Sequence, residues 1–269
     1  MNLQTALLQG QTLLEKGGVP APRLTAEVLL AHAIGCDRAW LYAHSDEELK
    51  ELWWIHYGRY LHERLKGKPT QYMTGVQEFY GRDFRVTPDV LIPRPETEHL
   101  IEAALARRGR SILDIGTGSG AVGITLALEF KARVTATDIS LPALQIAAAN
   151  ARALDASVQF VCCDLAGALR PEFDLIVSNP PYVPSATRAS LQREVRDFEP
   201  ELALYGGSDG MEVYRRLIPE AHTLLTPGGW LLLELGEAGP VRELLQDWRD
   251  VEVICDLAGL PRVIAARKD

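Results

Sequence analysis

The chain has 269 residues, 47% apolar and 24% charged, the composition of a globular protein, which excludes a chain disordered throughout. Domains usually run about 100–200 residues, so the length fits two units, or one large α/β unit with an appendage. Lys and Arg number 28 against 36 Asp and Glu, a net charge of −8, and because residues 1–70 balance, the excess of acid falls wholly beyond them, leaving no basic stripe for a phosphate backbone.

The segment from Met1 to Gln11 has no charged residue and no long apolar core, so it predicts neither a secretory signal nor an arginine-rich transit peptide. No apolar run approaches the roughly 20 residues that cross a bilayer. Residues 2–66 read as helices. Leu24, Val28, Ala31 and Ile34 fall on one helical face, and Leu49, Leu52, Trp53, His56, Tyr57, Tyr60 and Leu61 recur at the same spacing. Ser45 followed by Glu48 predicts a capping box opening the last of these helices. The aromatic stripe fits the core of a small bundle better than a ligand shelf. Glycines and prolines from Gly67 to Pro95 then break up any long helix, and Glu78-Phe79-Tyr80 and Asp83 to Val86 flank a turn at Gly81-Arg82, predicting a β-hairpin. Helical periodicity resumes over 97–108.

Beyond Ser111 short apolar strands alternate with helices. Strands are expected at 112–115, 133–137, 158–162, 175–177, 230–235, 251–255 and 262–266, and helices at 122–130, 142–154, 211–225 and 240–248. Such alternation builds an α/β fold around a mostly parallel, doubly wound sheet. The last two strands are joined too closely for a crossover helix, so they should run antiparallel. The organisation is therefore a helical bundle over 1–68, a hairpin linker over 69–96 and an α/β domain over 97–269.

Ile112 to Ile115 runs into Gly116-Thr117-Gly118-Ser119-Gly120, a strand entering a glycine turn where no side chain blocks a ligand. Asp138 ends the next strand, where a carboxylate accepts the hydroxyls of a ribose. Gly118, Gly120 and Gly123 also satisfy the dinucleotide pattern, so two nucleoside cofactors compete. Three features favour S-adenosylmethionine. Asp114 precedes the first glycine, near where a cationic amino-acid group would lie; its alternative role is to accept hydrogen bonds from the turn. Asp164 follows the third strand, beside a prospective adenine amino group; its alternative role is a helix N-cap. The fourth strand ends in Ser178-Asn179-Pro180-Pro181-Tyr182, which has no place in hydride transfer.

Two successive prolines remove backbone donors and stiffen the loop. It then presents acceptors, the Asn179 side-chain oxygen and the Pro180 carbonyl, which together suit a planar NH2 group. Tyr182 offers an aromatic face to a flat substrate. Methyl transfer from a sulfonium to such a nitrogen needs positioning and acceptor oxygens, not a strong base. The plain alternative is a rigid turn capping a strand. Any planar amide or nucleobase amine meets this description.

These residues resemble the release factor glutamine methyltransferases, which modify the glutamine of the Gly-Gly-Gln loop of class I peptide chain release factors. The resemblance covers nearly the whole chain. It rests on Gln71-Tyr72 with Gly75, on Val90 to Glu98 including Pro93-Arg94-Pro95-Glu96-Thr97, and on the glycine turn and Ser178 to Tyr182. Glu199-Pro200, Ala203-Leu204, Gly206-Gly207, Asp209-Gly210 and Tyr214-Arg215 complete it. It implies a class I methyltransferase fold, a seven-stranded Rossmann-like sheet with an antiparallel last strand, behind a small N-terminal helical bundle; the bundle is expected to grasp the partner protein, the alternative being a plain stabilising role. Cofactor contacts are implied at Gly116 to Gly120, Asp138, Asp164, Leu165 and Asn179. Leu165 departs from the aromatic common there. Asn179 to Tyr182 would clasp the substrate glutamine, with Arg94, Glu96 and Thr97 bordering the pocket. The expected partner is a release factor, with no nucleic acid or membrane partner. Methylation of a ribosomal protein glutamine and of adenine in nucleic acid are the alternatives. Cys36, Cys162, Cys163 and Cys255 lack zinc spacing, and the adjacent pair is ill-suited to a disulfide framework. No metal is expected, and the setting should be reducing and cytoplasmic.

Overall fold

A computed structural model describes residues 1–107, 109–170 and 173–269. Arg108, the predicted end of a helix, lies outside the described residues. The chain divides into one compact unit of residues 1–75 with 192–198, and a second of residues 76–191 with 199–269.

In the first unit, α1 (Leu3–Lys16), α2 (Pro22–Ile34), α3 (Arg38–Ala43), α4 (Glu51–Leu65) and α5 (Thr70–Thr74) enclose a core of Leu3, Leu7, Leu14, Leu29, Leu30, Tyr57 and Leu61. Its inward faces keep most of the expected residues, with Ala31, Leu49, Tyr57 and Leu61 buried and Ile34, Trp53 and Tyr60 packed against the core. α2 packs on both α1 and α4, and that turns Ala26, Leu29 and Leu30 inward while Leu24 faces solvent. In α4, Tyr57 and Leu61 are buried, whereas Leu52 sits exposed in the first turn. The predicted capping box does not form. Lys50 is the N-cap and makes no side-chain cap bond. The backbone at 45–49 is instead taken up by the N-terminus, with Gln4 N–H donating to Ser45 O, Leu3 N–H to Glu47 O and Leu49 N–H to Met1 O.

The second unit opens with the hairpin β1 (Val76–Phe79) and β2 (Arg82–Arg85), antiparallel with Phe79 opposite Arg82. The turn is Tyr80-Gly81, one residue earlier than expected. Both residues have positive φ, 51° and 71°, the twist that a two-residue hairpin requires. A 3-10 turn, Pro95–Thr97, leads into α6 (Glu98–Leu105).

The expected alternation then follows: β3 (Ser111–Ile115), α7 (Ala121–Phe130), β4 (Arg133–Asp138), α8 (Leu141–Ala153), β5 (Val158–Cys162) and β6 (Phe173–Ser178). Three short helical pieces between β6 and the next long helix escaped the periodicity: a 3-10 turn, α9 (Arg193–Phe198, in the first unit) and α10 (Glu201–Leu204). α11 (Glu212–Leu224), β7 (Leu225–Glu234), α12 (Ala238–Leu244), β8 (Arg249–Cys255) and β9 (Pro261–Arg267) close the chain. The sheet order is β5-β4-β3-β6-β7-β9-β8. β9 runs antiparallel to β8, as the short β8–β9 connection requires, and also to β7. One apolar layer joins α11 and α12 to the sheet, and another joins α6, α7 and the hairpin phenylalanines. The order of strands reverses between β3 and β6, so the carboxyl ends of β3, β4 and β6 face one crevice.

Candidate active site

That crevice is a cavity of about 370 Å³. Its floor is the glycine turn. Gly116 and Gly118 have φ of 73° and 55°, and a Cβ on either would meet no protein atom within 4 Å, so bare backbone faces space that a ligand can fill. Gly116 and Thr117 N–H both donate to Thr137 O at 2.9 Å, and Gly120 N–H closes the turn on Thr117 O. Ser119 also lines the floor, whereas Gly120 does not; it starts α7, where a side chain would strike Ile124.

Asp114 is buried on the cavity wall. Its Oδ2 accepts from Thr117 Oγ1 at 2.7 Å and from Gly123 N–H at 2.9 Å, so the structure shows the turn-accepting role. Burial pushes its carboxyl up to about 6 against these two bonds. The same contact explains Gly123, since a Cβ there would lie 2.9 Å from Asp114 Oδ2. The third glycine of the apparent dinucleotide pattern thus makes room for a carboxylate. Asp138 lines the cavity while its two oxygens accept from Gly118 N–H and Ser140 N–H, both at 2.8 Å. Burial raises its proton affinity in spite of them. Each oxygen keeps lone-pair capacity for a ligand hydroxyl.

Asp164 and Leu165 line the far end, together with Arg216, which is ion-paired with Asp164. No helix starts at Asp164, so it is not an N-cap. Leu165 has φ of 49°, a left-handed conformation that costs a non-glycine residue about 1–2 kcal/mol. Ile139 lines the same end yet is 51% exposed; the sequence reading missed it. An apolar residue after the ribose-type carboxylate was the available signal.

At the opposite end, Arg94, Thr97, Asn179, Pro180 and Pro181 form the wall. Ser178 Oγ donates to Ile115 O at 2.7 Å, tying the ends of β6 and β3 together. Asn179 Nδ2 donates to Thr97 Oγ1 at 3.2 Å. Arg94 is held 2.5 Å from Glu199. The proline loop is strapped to residues 204–207 by Val183 N–H to Leu204 O, Gly206 N–H to Val183 O and Ser185 N–H to Gly207 O. A Cβ at Gly206 would lie 2.4 Å from Pro181 O, which explains a glycine there. Tyr182 does not reach the cavity wall as expected. Its ring covers Gly236, where a Cβ would come within 2.7 Å, and burial pushes its hydroxyl up to about 12. Glu96 is not on the wall either; it faces Arg262 at 3.9 Å. Glu234, at the end of β7, was missed entirely, although an acid closing the apolar run Leu231-Leu232-Leu233 was a visible signal. It is buried beside Thr97 and Asn179.

The methyltransferase small domain family matches residues 95–195, and the PrmC N-terminal domain family matches residues 5–75. A release factor glutamine methyltransferase of Koribacter versatilis is 49% identical over 277 residues, spanning 100% of this chain and 99% of that protein. The chain belongs to the release factor glutamine methyltransferase family. The corresponding protein of Moorella thermoacetica is 44% identical, spanning 99% and 98% of the two chains. Among solved structures, a T. thermophilus 16S rRNA methyltransferase in complex with AdoMet and guanosine superposes with a TM-score of 0.54 at 23% identity, covering 72% of this chain and 50% of that one. This is a likeness of fold, and it agrees with the class I methyltransferase sheet described above. The chain is accordingly a methyltransferase, and its family's name does not favour the adenine or ribosomal-protein alternatives.

Proposed function

We propose that the protein transfers a methyl group from S-adenosylmethionine to the side-chain amide nitrogen of the glutamine in the Gly-Gly-Gln loop of class I release factors. The residues present fit that cofactor: bare glycine backbone on the floor, carboxylates at Asp114 and Asp138, and apolar side chains at Ile139 and Leu165. Gly116 to Ser119, Asp138, Asp164 and Leu165 would hold it, with Asp114, on the cavity wall, bracing the turn. When bound, it supplies a methyl carbon on a cationic sulfur.

The protein's part is to hold the acceptor. A primary amide nitrogen is a poor nucleophile because its lone pair is delocalised. The Asn179 side-chain oxygen and the Pro180 carbonyl accept its two hydrogens, which fixes the nitrogen and stabilises the positive charge that grows on it. Holding reacting atoms about 3–3.5 Å apart in line contributes about 7–11 kcal/mol. No protein group has to remove a proton before attack: the N–C bond forms as the C–S bond breaks, the sulfur would leave as a neutral thioether, and the methylated nitrogen, now cationic and acidic, gives up one of its two hydrogens to water.

The observation that carries this reading is the placement of Asn179 on the cavity wall with its amide nitrogen donated to Thr97, which leaves the oxygen for a ligand. The experiment is incubation with methyl-labelled S-adenosylmethionine and, separately, a release factor, ribosomal proteins or DNA. Label on the release factor glutamine is the expected result; label on adenine or on a ribosomal protein alone would overturn it. A role in translation termination in the cytoplasm belongs to the same proposal.

A further inference from the structure

The carboxamide of asparagine is nearly symmetric in shape, yet only one of its two faces can accept from an NH2 group. Turned over, Asn179 would present its own NH2 to the substrate NH2, donor against donor. The reading above therefore needs something that fixes which way the amide points. Thr97, its hydrogen-bond partner at 3.2 Å, cannot do this alone. A hydroxyl accepts from an amide nitrogen or donates to an amide oxygen equally well.

Behind both residues stands Glu234. Its side chain is 3% exposed and does not line the cavity. Its carboxyl group lies against the Thr97 hydroxyl and the Asn179 carboxamide, and its Oε2 atom is buried with no hydrogen-bond partner among the described residues. The β7 backbone is pinned at this point by Tyr214, whose hydroxyl donates to Glu234 O at 2.6 Å, and burial confines the carboxyl that it carries. An ionised carboxylate only accepts. It draws the Thr97 proton and the Asn179 NH2 toward itself, which leaves Thr97 as an acceptor for Nδ2 and turns Oδ1 to the cavity.

Building on the proposed amide-holding role of Asn179, we propose that the Glu234 carboxylate, acting with the Thr97 hydroxyl, fixes the Asn179 carboxamide with its oxygen toward the cavity and is the positioning residue for the acceptor nitrogen. Glu234 touches neither substrate nor cofactor. Its influence is set by its charge. Burial pushes its carboxyl up to about 7, with Glu96 pushing further up, while Thr97, Arg262 and Asn179 hold it down. Tyr182 also faces it; its hydroxyl is neutral near pH 7 in any case, and burial raises it further. Below that midpoint Glu234 carries a proton and the amide loses its director; above it, the carboxylate enforces one orientation. Turnover should therefore rise with pH through about 7 and then level off.

The test begins with a readout that needs no turnover. The chain contains three asparagines, Asn2, Asn150 and Asn179, so selective nitrogen-15 labelling gives three side-chain NH2 pairs that single substitutions assign. The Asn179 pair should shift with pH around a midpoint near 7, and the shift should vanish in Glu234→Gln, a change that keeps volume but adds a donor. In turnover, Glu234→Gln should lower kcat about tenfold at pH 8, the scale of one lost hydrogen bond, with KM for either substrate within about twofold and the pH limb gone. Thr97→Val should reproduce the loss, and the wild-type titration stands even if either variant fails to fold. An Asn179 resonance that ignores pH, or a pH limb that survives in Glu234→Gln, would overturn the proposal. Failure of the glutamine reading looks different: no transfer to the release factor at any pH, with the resonance titration unchanged.

Discussion

Asp138 does two jobs with one carboxylate, and its substitution should show both. Its oxygens hold Gly118 and Ser140 N–H while facing the cavity, so Asp138→Ala should weaken S-adenosylmethionine binding by roughly 1–3 kcal/mol, the range for hydrogen bonds to a charged acceptor. Calorimetry showing unchanged affinity would contradict the placement. Asn179→Ala should behave oppositely, lowering kcat while cofactor affinity holds; equal turnover would remove Asn179 from the chemistry. Asp114 makes a prediction about stability. Its carboxyl is raised by burial from the ordinary 3.8 to about 6, a displacement worth roughly 3 kcal/mol. The folded chain holds this proton to higher pH than the unfolded chain does, so the contribution is fully present below about pH 4 and is lost as pH rises through 6. Thermal melts of Asp114→Asn should show a flatter pH dependence over that window, and an unaltered slope would argue against it.

At the scale of elements, Asn150 on α8 joins three parts of the second unit. Its Oδ1 accepts from Arg85 N–H at 2.8 Å, and its Nδ2 donates to Arg85 O at 3.0 Å and to Ser119 O at 2.8 Å. It thereby ties the end of the hairpin to α8 and to the glycine turn. Asn150→Ala should cost about 1–3 kcal/mol in urea unfolding, since the carbonyl of buried Ser119 and the backbone of Arg85 lose their partner; a loss below about 0.5 kcal/mol would show that water replaces the side chain freely. Nothing in the sequence around Asn150 announces this, because its partners lie far along the chain. The strand and helix alternation of the α/β unit was legible because each element carries its own apolar period, and so was the antiparallel β9, from a short loop. The inward face of α2 was legible only in part: Ala31 is buried and Ile34 packs on the core, but two neighbouring helices widen the face, so Ala26, Leu29 and Leu30 are buried and Leu24 is exposed. Not legible at all was the absent cap at Ser45, where the backbone pairs with the N-terminal segment and the helix begins only after Lys50. At the site, Asn179, Asp138 and the glycine turn announced themselves by local motif. Ile139 and Glu234 gain meaning only when strands from distant positions bring them beside these residues.

Over the whole molecule, the division into units crosses the chain order. Residues 192–198 belong with 1–75, and buried Arg64 pairs with Glu194 at 2.6 Å across that gap in sequence. All the cavity-lining residues lie in the second unit. A chain cut to 76–269 should therefore keep its affinity for S-adenosylmethionine but lose order in α9. Trypsin should cleave it after Arg193 or Arg196 faster than it cleaves the full chain, and equal rates would contradict this division. The most direct measurement is a crystal structure with S-adenosylhomocysteine and a Gly-Gly-Gln peptide bound. The glutamine NH2 should donate to Asn179 Oδ1 and Pro180 O, in line with the sulfur. A glutamine bound elsewhere, or held by Asn179 Nδ2 through its carbonyl, would contradict the account.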